Sequence, residues 1–427
     1  MTSHRLEVWI AGVYAGRLAR TDDSDPTFEY DPAYADAGGG VPLSVSMPLD
    51  RAVHTGPEVG RWFDNLLPDN DQVRARWADQ LSTTTDPLNL LEHMGEDCAG
   101  AVQVLPEGIS PDGEEELESL TEEDIGLRIE RLRLDASAWE GDRPGRWSLG
   151  GFQSKFTIAR VGEGRWAEPR RRAPSTHVVK IGVAGLADSD IAEYATMRAA
   201  SILELPVPNT VLTRFAGETA ILVGRFDRTA GPDGRVRRWH QEDLCQALGL
   251  GRDRKYQVDG GPSLAQASSA IGRHVAPAAR AQSRRDFAGV TAFNLLTAGL
   301  DAHAKNFALI HFGSRPALAP FYDLASTALL YTPTRVAYQG RFAMAIGGEF
   351  QPHAVRSHHL ELAAADLGVP VDEFAAEVHR QLAALPSAVG QALAEAGALV
   401  GSATSQRVTA RLTGWLALMR RNLAPMV

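Results

Sequence analysis

The sequence predicts an α+β chain of two or three packed units, and three observations carry that expectation. At 427 residues the chain exceeds what one small core organises. Strand-like alternation is concentrated in two blocks, at the N-terminus and between Trp147 and about Phe226. Past the turn at Gly231 to Gly234 the pattern becomes mainly helical and ends in an Ala- and Leu-rich region. The expected organisation is an α+β unit over 1–106, an acidic linker and helix over 107–146, a strand-rich unit over 147–228 and a helical unit over 229–427.

Residues 5–10 and 13–18 alternate about Ala11-Gly12 as a short hairpin, and Phe28 to Tyr30 and Val41 to Met47 read as two further strands. The stretch from Glu58 is amphipathic and stops at Pro68; helices near 70–81 and 87–94 follow, then a strand from Gly100 to Leu105. The acidic stretch Glu107 to Glu118 is a solvated face, residues 107–120 read as a linker or exposed loop, and Thr121-Glu-Glu-Asp caps a helix behind it. In the third unit Phe156-Thr-Ile-Ala-Arg and Thr176-His-Val-Val-Lys180-Ile are strands. A helix from about Ser189 to Leu203 and strands at 209–214 and 219–224 complete it. Helical segments near 240–248, 263–274 and 284–300 then lead into the polar stretch Gly299-Leu-Asp-Ala-His-Ala-Lys-Asn-Phe307, beyond which Phe-Ala-Leu-Ile-His-Phe is a strand. No internal repeat is visible.

With 44% hydrophobic and 22% charged residues the composition is that of an ordinary soluble globular protein. A net charge of −10 argues against the whole surface binding nucleic acid, because phosphate contacts need a basic face. Arg170-Arg171-Arg172, Arg235 to Arg238 and Arg284-Arg285 read as solvated loops or helix starts unless a partner protein adds charge beside them. No stretch reaches the roughly 18 apolar residues of a membrane span, and the N-terminus lacks a signal-peptide pattern. A cytoplasmic chain with no membrane partner is expected. Cys98 and Cys245 are too few and too isolated for a disulfide framework or a metal site. Lysine usage is more pointed: only Lys155, Lys180, Lys255 and Lys305 occur, against 39 arginines. Where Arg serves as the generic cation, the surviving lysines mark places that need a compact, flexible ammonium.

Gly299 to Phe307 packs Asp301, His303, Lys305 and Asn306 between a buried helix and a strand, where a rigid scaffold can present catalytic groups. By itself the stretch reads equally as a helix-capping turn facing water. Its companions change that. Transfer of a γ-phosphoryl group needs a positioning carboxylate, metal ligands, a lysine on the phosphates and backbone donors around them. Asp301 and Asn306 have the Asp-x-x-x-x-Asn spacing of a protein-kinase catalytic loop. Asp323, in Phe321-Tyr-Asp323-Leu, supplies a second oxygen for a hard cation. Val178-Val179-Lys180 resembles the strand lysine that grips the α/β-phosphates, with Glu193 one helix later as its ion-pair partner. Gly150-Gly151, followed by Lys155, can bring backbone N–H groups close to phosphate. The order of these pieces is a stronger signal than any one of them.

Further motifs run the length of the chain. They are Phe63-Asp-Asn-Leu-Leu-Pro-Asp69, Ser148 to Lys155, Arg225-Phe-Asp-Arg228, Gln241-Glu-Asp-Leu-Cys-Gln246, Lys255-Tyr-Gln-Val-Asp-Gly-Gly-Pro262, Asp301-Ala-His-Ala-Lys-Asn306 and Pro320-Phe-Tyr-Asp323. Through them the chain resembles the HipA family of serine/threonine kinase toxins from bacterial type II toxin–antitoxin systems. The resemblance implies a protein-kinase-like two-lobed fold with a small N-terminal α+β subdomain and a helical C-terminal lobe. It implies ATP and Mg2+ as cofactors, Asp301 as catalytic base, and Asn306 and Asp323 as metal ligands. Lys180 and the loop Gly150, Gly151, Phe152, Gln153, Ser154, Lys155 would hold the phosphates. Gly224, Arg225 and Phe226 would form the hinge against adenine, and His303, Ala304, Lys305 and Tyr322 would line the nucleotide site. Ser148 matches a serine whose autophosphorylation ejects the Gly-rich loop, since two negative charges cannot stay where the loop meets triphosphate. Family members act on proteins, aminoacyl-tRNA synthetases being the substrate class. They are neutralised by a helix-turn-helix antitoxin, HipB, so any DNA contact is expected through that partner. Gly224 and Leu300 depart from residues other members carry, with little expected consequence.

Two rival readings share these residues: a non-catalytic kinase-shaped corepressor that binds an antitoxin on DNA, and a small-molecule kinase. His303 reads as a loop-organising hydrogen-bonder or a proton shuttle. Lys255 and Asp259 read as loop pins or as substrate or nucleotide contacts, and the Phe63 to Asp69 stretch as a packing face.

Overall fold

The structure, a computed structural model, describes residues 3–21, 24–37, 40–111, 115–135, 147–151, 153–170, 172–232, 234–313 and 315–424. An antiparallel five-stranded sheet opens the chain, in the order Val53–Thr55, Thr27–Tyr30, Val13–Thr21, Ser3–Ile10, Val102–Pro106. Alternation turns Leu6, Val8, Ile10 and Leu18 inward, onto helices Pro57–Asp64, Asp71–Leu81 and Pro87–Met94. The last two helices begin where Asn70 and Asp86 accept hydrogen bonds from the N–H groups of the first turn. Residues 41–47, expected as a strand, instead form a turn closed by a Ser44–Met47 bridge. Pro42 and Pro48 flank it and cannot donate to a ladder. The Tyr30 hydroxyl takes over, donating to Met47 O (2.6 Å) and accepting from Leu43 N–H (2.7 Å).

The second sheet is six-stranded and antiparallel, ordered Thr210–Phe215, Glu218–Gly224, His177–Lys180, Lys155–Gly162, Arg165–Arg170, Glu116–Leu120. Its last strand lies inside the segment expected to be a linker or exposed loop. Residues 116–119 are exposed, so no apolar face betrays the strand. It pairs with Arg165–Arg170 from Trp166–Leu120 to Arg170–Glu116, and a charged edge strand protects a sheet from further pairing. Helix Glu122–Leu134, opened by the Thr121 capping box, buries Ile125, Ile129 and Leu132.

The cores do not follow the expected unit boundaries. One face of the six-stranded sheet (Phe156, Ile158, Val179) shares a core with Trp62, Trp77 and Trp147 of the N-terminal half. Helix Ser189–Ile202 belongs to the core of the helical lobe, with Phe287, Phe293 and Trp415. A buried ion network ties the units together. Asp97 binds Arg228 at 2.8 Å and Arg225 at 3.3 Å and accepts from Ser175 Oγ at 2.6 Å, while Asp227 takes Arg225 at 2.7 Å. Burial alone would raise the Asp97 carboxyl, but Arg225, Arg228 and Arg238 hold it well below the usual range. Asp97→Ala therefore leaves buried guanidinium groups unpaired and is expected to lower unfolding stability by about 3–5 kcal/mol, measured by urea titration. With its native pKa depressed, the Asp97 contribution is complete above about pH 4 and is lost progressively as the pH falls below that.

The helical lobe begins with a three-stranded sheet, His240–Asp243, Ala308–His311 and Pro316–Leu318. Residues 240–243, expected as helix, form a strand of this sheet, and the helix shrinks to Leu244–Ala247, entered through an Asp243–Gln246 capping box. Helix Arg280–Thr297 is buried continuously from Phe287 to Thr297 and stops at Ala298 in the left-handed region (φ 49°). Helices Ser357–Leu367, Val371–Glu395 and Ser402–Asn422 pack around it. Among the described residues no helix is long and apolar enough to cross a membrane.

Candidate active site

A cavity opens between the six-stranded sheet and the helical lobe. It is lined by Gly150, Gly151, Lys155 and Lys180 on one side and by His303, Lys305, Asn306, Tyr322 and Asp323 on the other, with Gly224 to Asp227 at its back. Lys180 and Lys155 are direct cross-strand partners, so two ammonium stems stand side by side on one sheet face. Like charges so placed repel and require anions opposite them. Lys180 Nζ meets Glu193 Oε1 at 2.7 Å and is in close contact with Asp323 Oδ1. Burial disfavours its charge, yet Asp323 and Glu193 together hold Lys180 protonated well above the usual range. Burial would likewise raise Asp323, and Lys180 and Lys155 outweigh it to hold the carboxylate ionised. Asp323 has φ 56°, an uncommon conformation for a residue with a side chain, of the kind that clusters at functional sites.

Lys155 Nζ donates to Gly150 O, and burial brings its ammonium down to about 8 against the pull of Asp323. Gly151 has φ 103°, and a Cβ there would lie 2.8 Å from Lys155 Nζ. The positive φ makes any side chain there strained, and a Cβ would also push the Lys155 ammonium from its present place.

Asp301 does not line the cavity, and its side chain is 67% exposed. Tyr256 OH donates to its Oδ1 at 2.5 Å. Asn306 Nδ2 donates to the Asp301 carbonyl at 2.8 Å, which folds the loop and leaves the Oδ1 end of the amide for a cation. His303 is buried, stacks edge-on against Tyr256 at 5.0 Å, and lies 4.0 Å from the Asp301 carboxylate. Burial pushes its imidazole down, which favours the neutral form, and its buried Nδ1 has no hydrogen-bond partner among the described residues.

Not every expected contact reaches the cavity. Gln153 donates to Glu193 (2.8 Å) and to Ile181 O (3.0 Å), so it braces the ion pair behind the site, and neither it nor Ser154 is among the lining residues. The Ala304 N–H is taken by Lys255 O at 3.1 Å. At the expected hinge, the Gly224 N–H donates to Asn209 O (2.8 Å) and the Arg225 N–H to Thr176 O (2.9 Å), while the Arg225 guanidinium turns to Asp97 and Asp227. Neither N–H is therefore available to a purine edge. Phe226 stacks with Tyr322 (5.6 Å, 23°), and Tyr322 OH donates to Lys305 O at 2.7 Å. Ser148 is fully buried, its Oγ donating to Leu66 O at 2.8 Å. Phe152 lies outside the described residues.

Two carboxylates escaped the sequence reading. Asp69 sits between Lys305 (2.8 Å) and Lys255 (2.7 Å), so Lys255 joins the other three lysines around one site. The scarcity of lysine, set beside the acidic end of the Phe63 to Asp69 motif, was the signal available. Asp243 lines the cavity, and burial pushes its carboxyl up to about 7. It lies within the Gln241 to Gln246 motif, to which the sequence reading attached no chemical role.

With this geometry in place, comparison with known proteins is direct. Residues 6–105 match the HipA N-terminal domain, and residues 147–389 match the HipA-like C-terminal domain. The chain belongs to the HipA family. A putative kinase, Y4mE, of Sinorhizobium fredii is 33% identical over 77% of this chain and 78% of its own length. The serine/threonine-protein kinase toxin HipA of Shewanella oneidensis is 29% identical over 91% of this chain and 89% of its own. The structure of the Shewanella oneidensis HipA, HipB and operator DNA complex superposes with a TM-score of 0.82 at 27% identity, covering 97% of both chains. The two-lobed HipA fold expected from the sequence is thus the fold of this protein.

Proposed function

We propose that this HipA-family chain is an ATP- and Mg2+-dependent serine/threonine protein kinase. The observation that carries the reading is the Glu193–Lys180–Asp323 chain of contacts at the cavity wall. A scaffold has no need to hold a buried lysine between two carboxylates, whereas phosphoryl transfer needs both the cation and the metal-binding acid. Asn306 and Asp323 are hard oxygen donors beside the cavity, and two protein oxygens suffice for Mg2+, which keeps several waters and takes phosphates as further ligands. When bound there, the ion would neutralise charge on the transferred phosphate. Lys180 and Lys155, with Gly150 and Gly151, meet the phosphates. Asp301, outside the cavity and exposed, accepts the proton of the incoming hydroxyl. Phe226 and Tyr322 offer an aromatic wall to the base, whose edge must find partners other than the Gly224 and Arg225 N–H groups.

The acceptor is a bacterial protein, of the aminoacyl-tRNA synthetase class by family resemblance. A HipB-like antitoxin is the partner that the solved HipA–HipB complex supports, with DNA reached through it.

Ser148 is proposed as the autophosphorylation site. Buried on the Leu66 carbonyl, it reaches a phosphate donor only if its segment leaves this seat. Once phosphorylated it cannot return, because a dianion would face a carbonyl oxygen in a dry site. Incubation with MgATP followed by peptide mass spectrometry is expected to place phosphate on Ser148. Phosphate found only elsewhere contradicts this part of the reading.

A further inference from the structure

The turn that ends the Phe63 to Asp69 motif touches both halves of the cavity at once. Toward the Gly-rich loop, Leu66 O accepts from Ser148 Oγ at 2.8 Å and the Asp69 N–H donates to Gly151 O at 3.0 Å. Toward the catalytic loop, Asn65 O accepts from Lys305 Nζ at 3.3 Å and Asp69 Oδ1 does so at 2.8 Å. Lys305 is buried on the far side of the same gap, and a Cβ on Gly150 would lie 3.4 Å from its Nζ and 3.0 Å from Asn65 O. The ammonium therefore lies directly against the loop that faces nucleotide phosphates.

Asp69 is itself shared. Its other oxygen holds Lys255 Nζ at 2.7 Å. Asp69 is the direct carboxylate partner of both ammonium groups, and Asp243 is the next anion acting on Lys305. Burial would raise the Asp69 carboxyl, but Lys305 and Lys255 keep it ionised well below the usual range. A lysine on a four-carbon stem otherwise swings to whichever oxygen is nearest; a carboxylate on a fixed turn gives it one place.

We propose that Asp69 is a positioning residue for phosphoryl transfer, through which the N-terminal unit fixes Lys305 against the Gly-rich loop. The N-terminal unit then completes the site, and the terminal phosphate meets a cation whose place is set from outside the kinase lobes. This rests on the kinase reading above.

A double-mutant cycle in the full chain tests it, reading the initial rate of label transfer from γ-labelled MgATP to total protein of a cell lysate. Asp69→Asn and Lys305→Met are each expected to slow transfer by about tenfold or more, because displacing a positioned charge weakens its hold on the transition state. In the Lys305→Met background, Asp69→Asn is expected to change the rate by less than about twofold, the signature of two residues acting as one. A purely structural Asp69 would cost the same factor in both backgrounds, and that additivity overturns the proposal. Should Asp69→Asn not fold, Asp69→Glu, which keeps the charge, is expected to retain most of the rate when Lys305 is present. Loss equal to that of Lys305→Met by a folded Asp69→Glu protein overturns it as well. If the wild-type chain transfers no label, the kinase reading fails and the proposal falls with it; wild-type transfer with an additive cycle removes the proposal alone.

Discussion

Asp301→Asn is expected to slow phosphoryl transfer by about 10²–10⁴-fold, the range for loss of a general base, while leaving MgATP affinity within about twofold. The separation follows from position. Asp301 is exposed and does not line the cavity, so nucleotide contacts do not depend on its charge. The substitution also spares the loop: Asn306 bonds to the backbone carbonyl of residue 301, and Tyr256 OH can donate to an amide oxygen as it does to Oδ1. Calorimetric titration with MgATP alongside a transfer assay checks both halves.

Asp323→Asn is expected to fail differently. The carboxylate touches Lys180 and lines the cavity, so its loss removes the proposed cation ligand and one of the two anions that keep Lys180 charged. Transfer should fall by at least about 10²-fold, as when a preorganised electrostatic partner is removed, and here MgATP affinity falls too. Lys180 keeps Glu193 at 2.7 Å, so the fold survives. Raising the Mg2+ concentration should recover part of the affinity of Asp323→Asn and none of the activity of Asp301→Asn. Equal responses of the two variants to Mg2+ would remove the distinction drawn between base and metal ligand.

What was legible in the sequence were features whose chemistry is local or whose order along the chain is informative. The Asp301–Asn306 spacing survives because one short loop carries both groups. Lys180 and Glu193 were readable because a strand lysine followed by a helix glutamate is one supersecondary step. Asp69 was not, because its meaning comes from Lys255 and Lys305, distant in sequence and joined to it only by packing of the N-terminal unit on the helical lobe. The hinge was legible in part for a related reason: Gly224, Arg225 and Phe226 do line the cavity, and only the fold shows that Asn209 and Thr176 already hold the Gly224 and Arg225 N–H groups. Edge strand Glu116–Leu120 was hidden by its own exposure, since residues 116–119 carry no apolar alternation to read. The Val41 to Met47 stretch erred in the opposite direction, its alternation overruled by Pro42 within it and Pro48 just after it.

The most direct measurement is incubation of the wild-type chain and Asp301→Asn with γ-labelled MgATP and a cell lysate, separating protein from small molecules. Label is expected on protein serine or threonine with the wild type and almost none with Asp301→Asn. Label on a metabolite, label on nothing, or equal labelling by the two chains would contradict the kinase reading.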